Sequence, residues 1–321
     1  MIRNMFEIEK KPRKGLLAVE WVILGYLVLT LLLLLFTYTK LQNPEAMLWG
    51  RFRIVAVMTA MWIVYRLVPC RFTFFSRIGI QMLLLSWWYP DTYEFNRMFT
   101  NCDPFFANCD QMMFGFQPAL LFSKTVTSPV FSELMHLGYA SYYWLCIFVS
   151  IFFFLRRYED FERATFIIST SFFIYYLIFI FLPVTGPQYY YLAAGLDNIA
   201  NGIFPDVGNY FANHQEALPI PGYSDGWFYQ FVAGAHAAGE RPTAAFPSSH
   251  VGITTILMIL AWKSRSRWLF WGMMPLYLLM CLATVYIQAH YVIDVFGGWV
   301  SAVVFYAVLN FLGGKICQSR K

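Results

Sequence analysis

The run Phe246-Pro247-Ser248-Ser249-His250 leads directly into an apolar stretch. A proline at a helix start, followed by hydroxyls and a histidine, places Ser248 and Ser249 beside backbone N–H groups that no helical carbonyl reaches. Such a helix end, with its positive dipole, suits a phosphate group. Alone, the run also reads as an ordinary Ser/Pro helix cap. A second group, His290-Tyr291-Val292-Ile293-Asp294, sets a histidine and a carboxylate four residues apart. On a helix the two share a face, so the carboxylate fixes one imidazole nitrogen and frees the other as base or nucleophile. The plainer reading is a His–Asp bond that ties two helices together. An aspartate at the start of a membrane helix is costly without a partner, which favours a functional role.

These residues need elements to hold them at one place. Of 321 residues, 59% are hydrophobic, 20% aromatic and 13% charged, against about 25% charged in soluble domains. That excludes an ordinary soluble enzyme, a disordered chain and a nucleic-acid binder. The fold class expected is all-α: a polytopic membrane bundle of about eight helices, over 16–39, 52–69, 74–90, 134–155, 164–183, 247–262, 268–287 and 291–312. The segment 74–90 is short and carries Arg77. The first span follows a basic start but is too long for a signal peptide and lacks a cleavage site, so it reads as a retained anchor. With the N-terminus cytoplasmic, 17 of the 23 Lys and Arg residues fall inside and six outside, as the positive-inside bias requires. Both termini are then cytoplasmic. His250 and His290 both come to the outer ends of their helices, and convergence at one depth is what an active site needs.

Residues 1–130 read as N-terminal membrane helices with an outer interfacial segment, and 131–321 as a catalytic membrane domain with a long outer loop, 184–246. Outer segments of such length are usually functional. Cys102 and Cys109, in the near-repeat Asn101-Cys102-Asp103 and Asn108-Cys109-Asp110, are candidates for a bridge in an oxidising compartment. Cys70, Cys146, Cys281 and Cys317 lie in or beside apolar runs and read as small hydrophobes.

The two motifs resemble the type 2 phosphatidic acid phosphatase superfamily, whose members carry Pro-Ser-x-His at one helix start and His-x-x-x-Asp at a later one. The resemblance runs over roughly Ser132 to Gly314 and is sharpest from Ala244 to Gly298. It implies that His290 attacks phosphorus, Asp294 orients it, His250 protonates the leaving group, and Ser248 and Ser249 hold phosphate. Two cations of the phosphatase branch are missing. No Lys-x6-Arg-Pro string occurs, and Ala283-Thr284 stand where Ser-Arg is usual. Arg241-Pro242 offers one substitute, and also reads as a plain loop arginine. The stretch from Ala283 to Val295 looks more like the inositol phosphorylceramide synthase branch, as do Gly186-Pro187-Gln188-Tyr189-Tyr190 and Glu133 to His136. Gln188, Tyr189, Tyr190, His136 and Glu133 are therefore substrate-binding candidates. The tyrosines equally read as interface anchors, and Glu133 with His136 as a satisfied polar pair.

The implied activity moves a phospho-alcohol headgroup, such as phosphoinositol, from a phospholipid to a ceramide-like lipid. Water in place of the second lipid gives a lipid phosphate phosphatase. A transporter is the alternative of a different class, but repeated halves and interrupted helices are not evident. His250, His290 and Asp294 also make a conceivable metal set, yet no His-Glu-x-x-His pattern accompanies them. Neither metal nor cofactor is expected, and the partners are lipids in the bilayer. His214 and His236 read as exposed loop residues, and Glu20 and Arg66 as snorkelling side chains. No Asn-x-Ser/Thr sequon occurs, which is compatible with a bacterial inner membrane, and the topology puts the site on the periplasmic or lumenal face.

Overall fold

The computed structural model describes residues 5–318, with side chains as far as Ile316. Arg3, Arg320, Lys321 and the Cys317 side chain lie outside the described residues. In chain order the helices are α1 (Ala18–Thr37), α2 (Pro44–Leu67), α3 (Arg71–Leu83), α4 (Leu85–Asn96), α5 (Asp103–Phe114), α6 (Pro118–Thr125), α7 (Pro129–Arg156) and α8 (Tyr158–Phe181). They continue with α9 (Pro187–Ala194), α10 (Leu196–Ala200), α11 (Trp227–Gly239), α12 (Ser249–Lys263), α13 (Arg267–Tyr286) and α14 (Val292–Gln318). No β-strand occurs among the described residues. A helix bonds its own backbone polar groups, the condition for crossing hydrocarbon. The chain is an all-α, polytopic integral membrane protein.

Among the described residues, six helices are long and apolar enough to cross alone: α1, α2, α7, α8, α13 and α14. Two of the eight expected spans therefore differ in kind. Helix α12 has 15 residues, about 22 Å of helix, and is shielded by neighbours rather than matched to the bilayer. The span expected over 74–90 is instead a broken pair, α3 and α4. Leu84 forms a turn between them, still right-handed but with ψ flattened to −11°, and Pro90 inside α4 cannot donate to the preceding turn. An interruption that the sequence did not announce is thus present.

The broken pair nevertheless runs the length of the bundle. Arg77 of α3 bonds Glu20 in the first turn of α1. At the far end, Tyr89 and Tyr93 of α4 reach Glu240 and the Phe211 carbonyl. Glu20 accordingly does not snorkel: its carboxylate is fully buried and bonds both Arg77 and the Leu17 N–H. Helix α2 starts at Pro44, eight residues before the expected 52, because Arg51 is buried and paired with the half-buried Asp91. The guanidinium lies 2.8 Å from that carboxylate.

One end of the bundle gathers the described chain ends and the short connectors. There Glu9 accepts from Tyr65 and Tyr158, Arg13 pairs with Glu162, and Arg157 donates to the Ser264 carbonyl. The other end carries the long segments, folded into α5, α6 and α9 to α11. Without a hydrophobic drive between helices in lipid, small residues permit close contact. A Cβ on Gly138 of α7 would lie 2.7 Å from the Leu279 backbone of α13. A Cβ on Gly298 of α14 would lie 2.8 Å from the Ser248 carbonyl at the head of α12. These contacts set α12 between α7, α13 and α14 and fix where its first turn emerges.

Candidate active site

The two sequence motifs meet at the long-segment end. The Ser248 N–H donates to the main-chain carbonyl of Asp294 at 3.0 Å, joining the head of α12 to the head of α14. His290 does not sit on α14 beside Asp294, as the spacing suggests. It lies in the turn before the helix, which begins at Val292. Asp294 occupies the third helical position, and its carboxylate accepts from the Tyr291 N–H at 2.9 Å, half of a capping box.

The His290 ring is oriented chiefly by a backbone group. Nδ1 lies 2.8 Å from the Ala245 carbonyl oxygen and 3.5 Å from the Asp294 carboxylate. A carbonyl only accepts, so Nδ1 carries the proton, and Nε2 has no protein partner among the described residues. Burial lowers the His290 pKa to about 4, only partly opposed by the Ala245 bond. The imidazole is therefore neutral at neutral pH, the form a nucleophile requires. The His290 N–H donates to the Thr284 carbonyl, so the position that lacks the usual arginine contributes backbone support.

His250 stands in the first turn of α12, its ring 5.9 Å from that of His290, centroid to centroid. Two tyrosines of α7 hold it: Tyr139 stacks at 4.6 Å and Tyr142 packs at 4.3 Å. Neither ring nitrogen has a protein hydrogen bond among the described residues. Ser248 is the N-cap of α12, its Oγ accepting from Val251 N–H, while Pro247 lies before the cap rather than inside the helix. The N–H groups of Ser249 and His250 point out of the first turn without intrahelical acceptors.

A cleft of about 400 Å³ lies beside α11, lined among others by Gln188, Tyr189, Gln215, His236, Glu240 and Arg241; His250 and His290 do not line it. Arg241 fronts it while donating to the Glu240 carbonyl. Gln188 is partly engaged: its amide donates to the Leu218 carbonyl and its N–H to Gln288. Tyr190 is fully buried, bonds the Pro205 carbonyl and does not line the cleft. Gly186 needs its lack of a side chain. Its φ is +91°, and a Cβ would fall 2.6 Å from the Ala289 carbonyl, next to His290.

Glu133 and His136 of α7 brace the loop. The Glu133 carboxylate accepts from Phe228 and Tyr229 N–H, capping α11. His136 is fully buried, its Nδ1 on the Ser132 carbonyl and its Nε2 unpartnered. His214 stacks on Tyr210 away from the cleft. His236 departs from the expected exposed residue, for it lines the cleft and its Nε2 is buried without a partner.

Sequence reading missed Asp103 and Asp110. Asp103 accepts from Thr185 N–H and Oγ, Gly186 N–H, Asn101 and the Tyr291 hydroxyl. Asp110 takes the N–H groups of Val292 and Ile293, the first two of α14. Burial pushes both carboxyls up, and these donors oppose it. The near-repeat that pointed to cysteines carried its information in the aspartates. Cys102 and Cys109 are free thiols. Seven residues along a helix separate them by about 10 Å, beyond disulfide reach. No cluster of three His, Cys, Asp or Glu side chains suited to a metal occurs among the described residues.

Searches of curated proteins and of solved structures returned no match. A family model described as the PAP2 superfamily matches residues 106–308, well over half of the chain, from within α5 to within α14. Both histidine motifs and Asp110 fall inside the match. This chain belongs to the PAP2 superfamily, and is a membrane enzyme of the lipid phosphatase or phosphotransferase type.

Proposed function

We propose that the enzyme transfers a phospho-alcohol headgroup, such as phosphoinositol, from a phospholipid to a ceramide-like lipid. The observation that carries this reading is the His290 ring: protonated Nδ1 held by Ala245, free Nε2, and His250 beside it. In the first half, His290 Nε2 bonds phosphorus as the bond to the diacylglycerol oxygen breaks, and His250 gives that oxygen a proton. In the second, the acceptor hydroxyl oxygen bonds phosphorus, the phosphorus–nitrogen bond breaks, and His250 takes the hydroxyl proton. Ser248, Ser249 and the first-turn N–H groups of α12 cradle the phosphoryl oxygens. Arg241 supplies charge from the cleft wall, and Gln188 and Tyr189 face the headgroup. Aromatic shielding of His250 favours a lipid alcohol over water. The sequence topology, which assigns 17 of 23 basic residues to the cytoplasmic side, supports a periplasmic or lumenal site in a bacterial inner membrane.

Purified enzyme given phosphatidylinositol labelled in its headgroup phosphate, with and without ceramide, tests the reading. Label on ceramide, and an acid-labile protein label absent from His290→Ala, is the expected result. Release of inorganic phosphate from a lipid phosphomonoester, with no transfer, would instead make it a phosphatase. Undiminished activity in His290→Ala would rule out the covalent step.

A further inference from the structure

Helix α11 presents His236 and, at its C-cap, Glu240 toward the site, and the two separate unlike spaces. On one side is the polar cleft with Arg241 and Gln188. On the other, between α7 and α11, is a pocket of about 20 Å³ lined by Tyr139, Ala140, Tyr143, Phe231 and Val232 with His236 and Glu240. That volume holds about one water-sized group. Tyr143 is 52% exposed and Ile147, one turn further along α7, also 52%, so the pocket adjoins a helix face turned to lipid. Glu240 is already occupied by the Tyr89 hydroxyl at 2.8 Å. His236 Nε2 is buried and has no partner. The Tyr139 ring packs on both His236 and His250, its centroid 5.7 Å from one and 4.6 Å from the other.

We propose that His236 binds a hydrogen-bonding group of the acceptor lipid, while the reacting hydroxyl of the same molecule lies at His250. This inference rests on the transfer reading above. A pocket the size of one oxygen, walled by aromatic rings, with Glu240 already taken by Tyr89 and a buried, unpaired imidazole nitrogen on His236, fits a neutral hydroxyl or amide. A phosphate is excluded from it by size, and the arginine that would bind one faces the other space. The separation of one aromatic ring places the two polar groups of the lipid a few atoms apart. The acceptor class is thus a lipid alcohol with a second hydroxyl or an amide near its reacting hydroxyl, and its chain lies along the Tyr143 and Ile147 face of α7.

The test compares two acceptors, one with the neighbouring hydroxyl and one lacking it, in wild type, His236→Ala and His236→Gln. Wild type should use the hydroxylated acceptor at a KM roughly tenfold below that of its deoxy analogue, the value of one buried hydrogen bond. His236→Ala should make the two acceptors equivalent, and His236→Gln, which keeps a hydrogen-bonding group, should restore part of the preference. Equal use of both acceptors by wild type, or full discrimination in His236→Ala, would overturn the inference. Failure of wild type to move the labelled headgroup to either acceptor would instead overturn the transfer reading, and this inference with it.

Discussion

Nδ1 of His290 donates to the carbonyl oxygen of Ala245 at 2.8 Å, a shorter contact than the 3.5 Å to Asp294. The residue that resemblance assigns to orientation shares that work with a backbone group 45 positions upstream. Asp294→Asn keeps an oxygen for the Tyr291 N–H and leaves the Ala245 bond in place. Its activity should fall only roughly 10- to 100-fold, the usual loss for a supporting contact. His290→Ala removes the nucleophile itself and should cost more than about 10³-fold. Steady-state transfer assays on the two variants check the order; equal losses would mean that Asp294 alone sets the ring.

Asp110 accepts from Val292 and Ile293 N–H at 2.8 and 3.0 Å and thereby holds the first turn of α14. Asp110→Ala strands two part-buried donors. It should lower stability by about 1–3 kcal/mol for each group left without water and should reduce activity by displacing His290. Asp110→Asn retains one acceptor and should fall between. Thermal unfolding in detergent, set beside activity per folded molecule, separates the two effects; a fully stable Asp110→Ala would remove the carboxylate from the scaffold.

How much of this was legible in sequence follows from the range of each interaction. Ser248, His250, His290 and Asp294 were visible because local spacing and helix-start chemistry mark them. Hydropathy runs disclosed the long spans for the same reason. Asp110 and Asp103 act on backbone about 182 and 82 residues away, and nothing in their local pattern names those partners. The break at Leu84 and the start of α2 at Pro44 were hidden because tertiary pairing of Arg77 and Arg51 overrides the hydropathy that charged residues otherwise signal. His236 looked like a loop residue until α11 folded over the site.

The acid side of the pH profile should report His290. Burial holds its pKa at about 4, below the ordinary 6.5 for histidine, and the attacking form is neutral. Phosphoenzyme formation should therefore show no loss from protonation of His290 as pH falls from 7 to 5, a fall that favours the acid form of His250, and should decline only near pH 4. An exposed nucleophile would already lose most of its rate by pH 5.5. Rapid-quench labelling across this range, at saturating donor, makes the measurement. A midpoint near 6.5 would place His290 in contact with water.

The ion pair at the opposite end of the bundle should matter for stability alone. Arg77 donates through Nε and Nη2 to both oxygens of Glu20 at 2.6 and 2.5 Å, and neither residue is exposed. Removing one partner leaves a buried charge uncompensated, so Arg77→Met should cost about 3–5 kcal/mol. The double variant Glu20→Leu with Arg77→Met should regain most of that, because it also removes the stranded carboxylate. A residue of about 1 kcal/mol should remain, since Glu20 also bonds the Leu17 N–H at the head of α1. A double-mutant cycle on thermal unfolding measures the coupling. Transfer activity per folded molecule should be unchanged throughout, because α1 and α3 hold this pair at the end of the bundle away from His250 and His290. Loss of activity without loss of stability would show instead that the pair acts on the site.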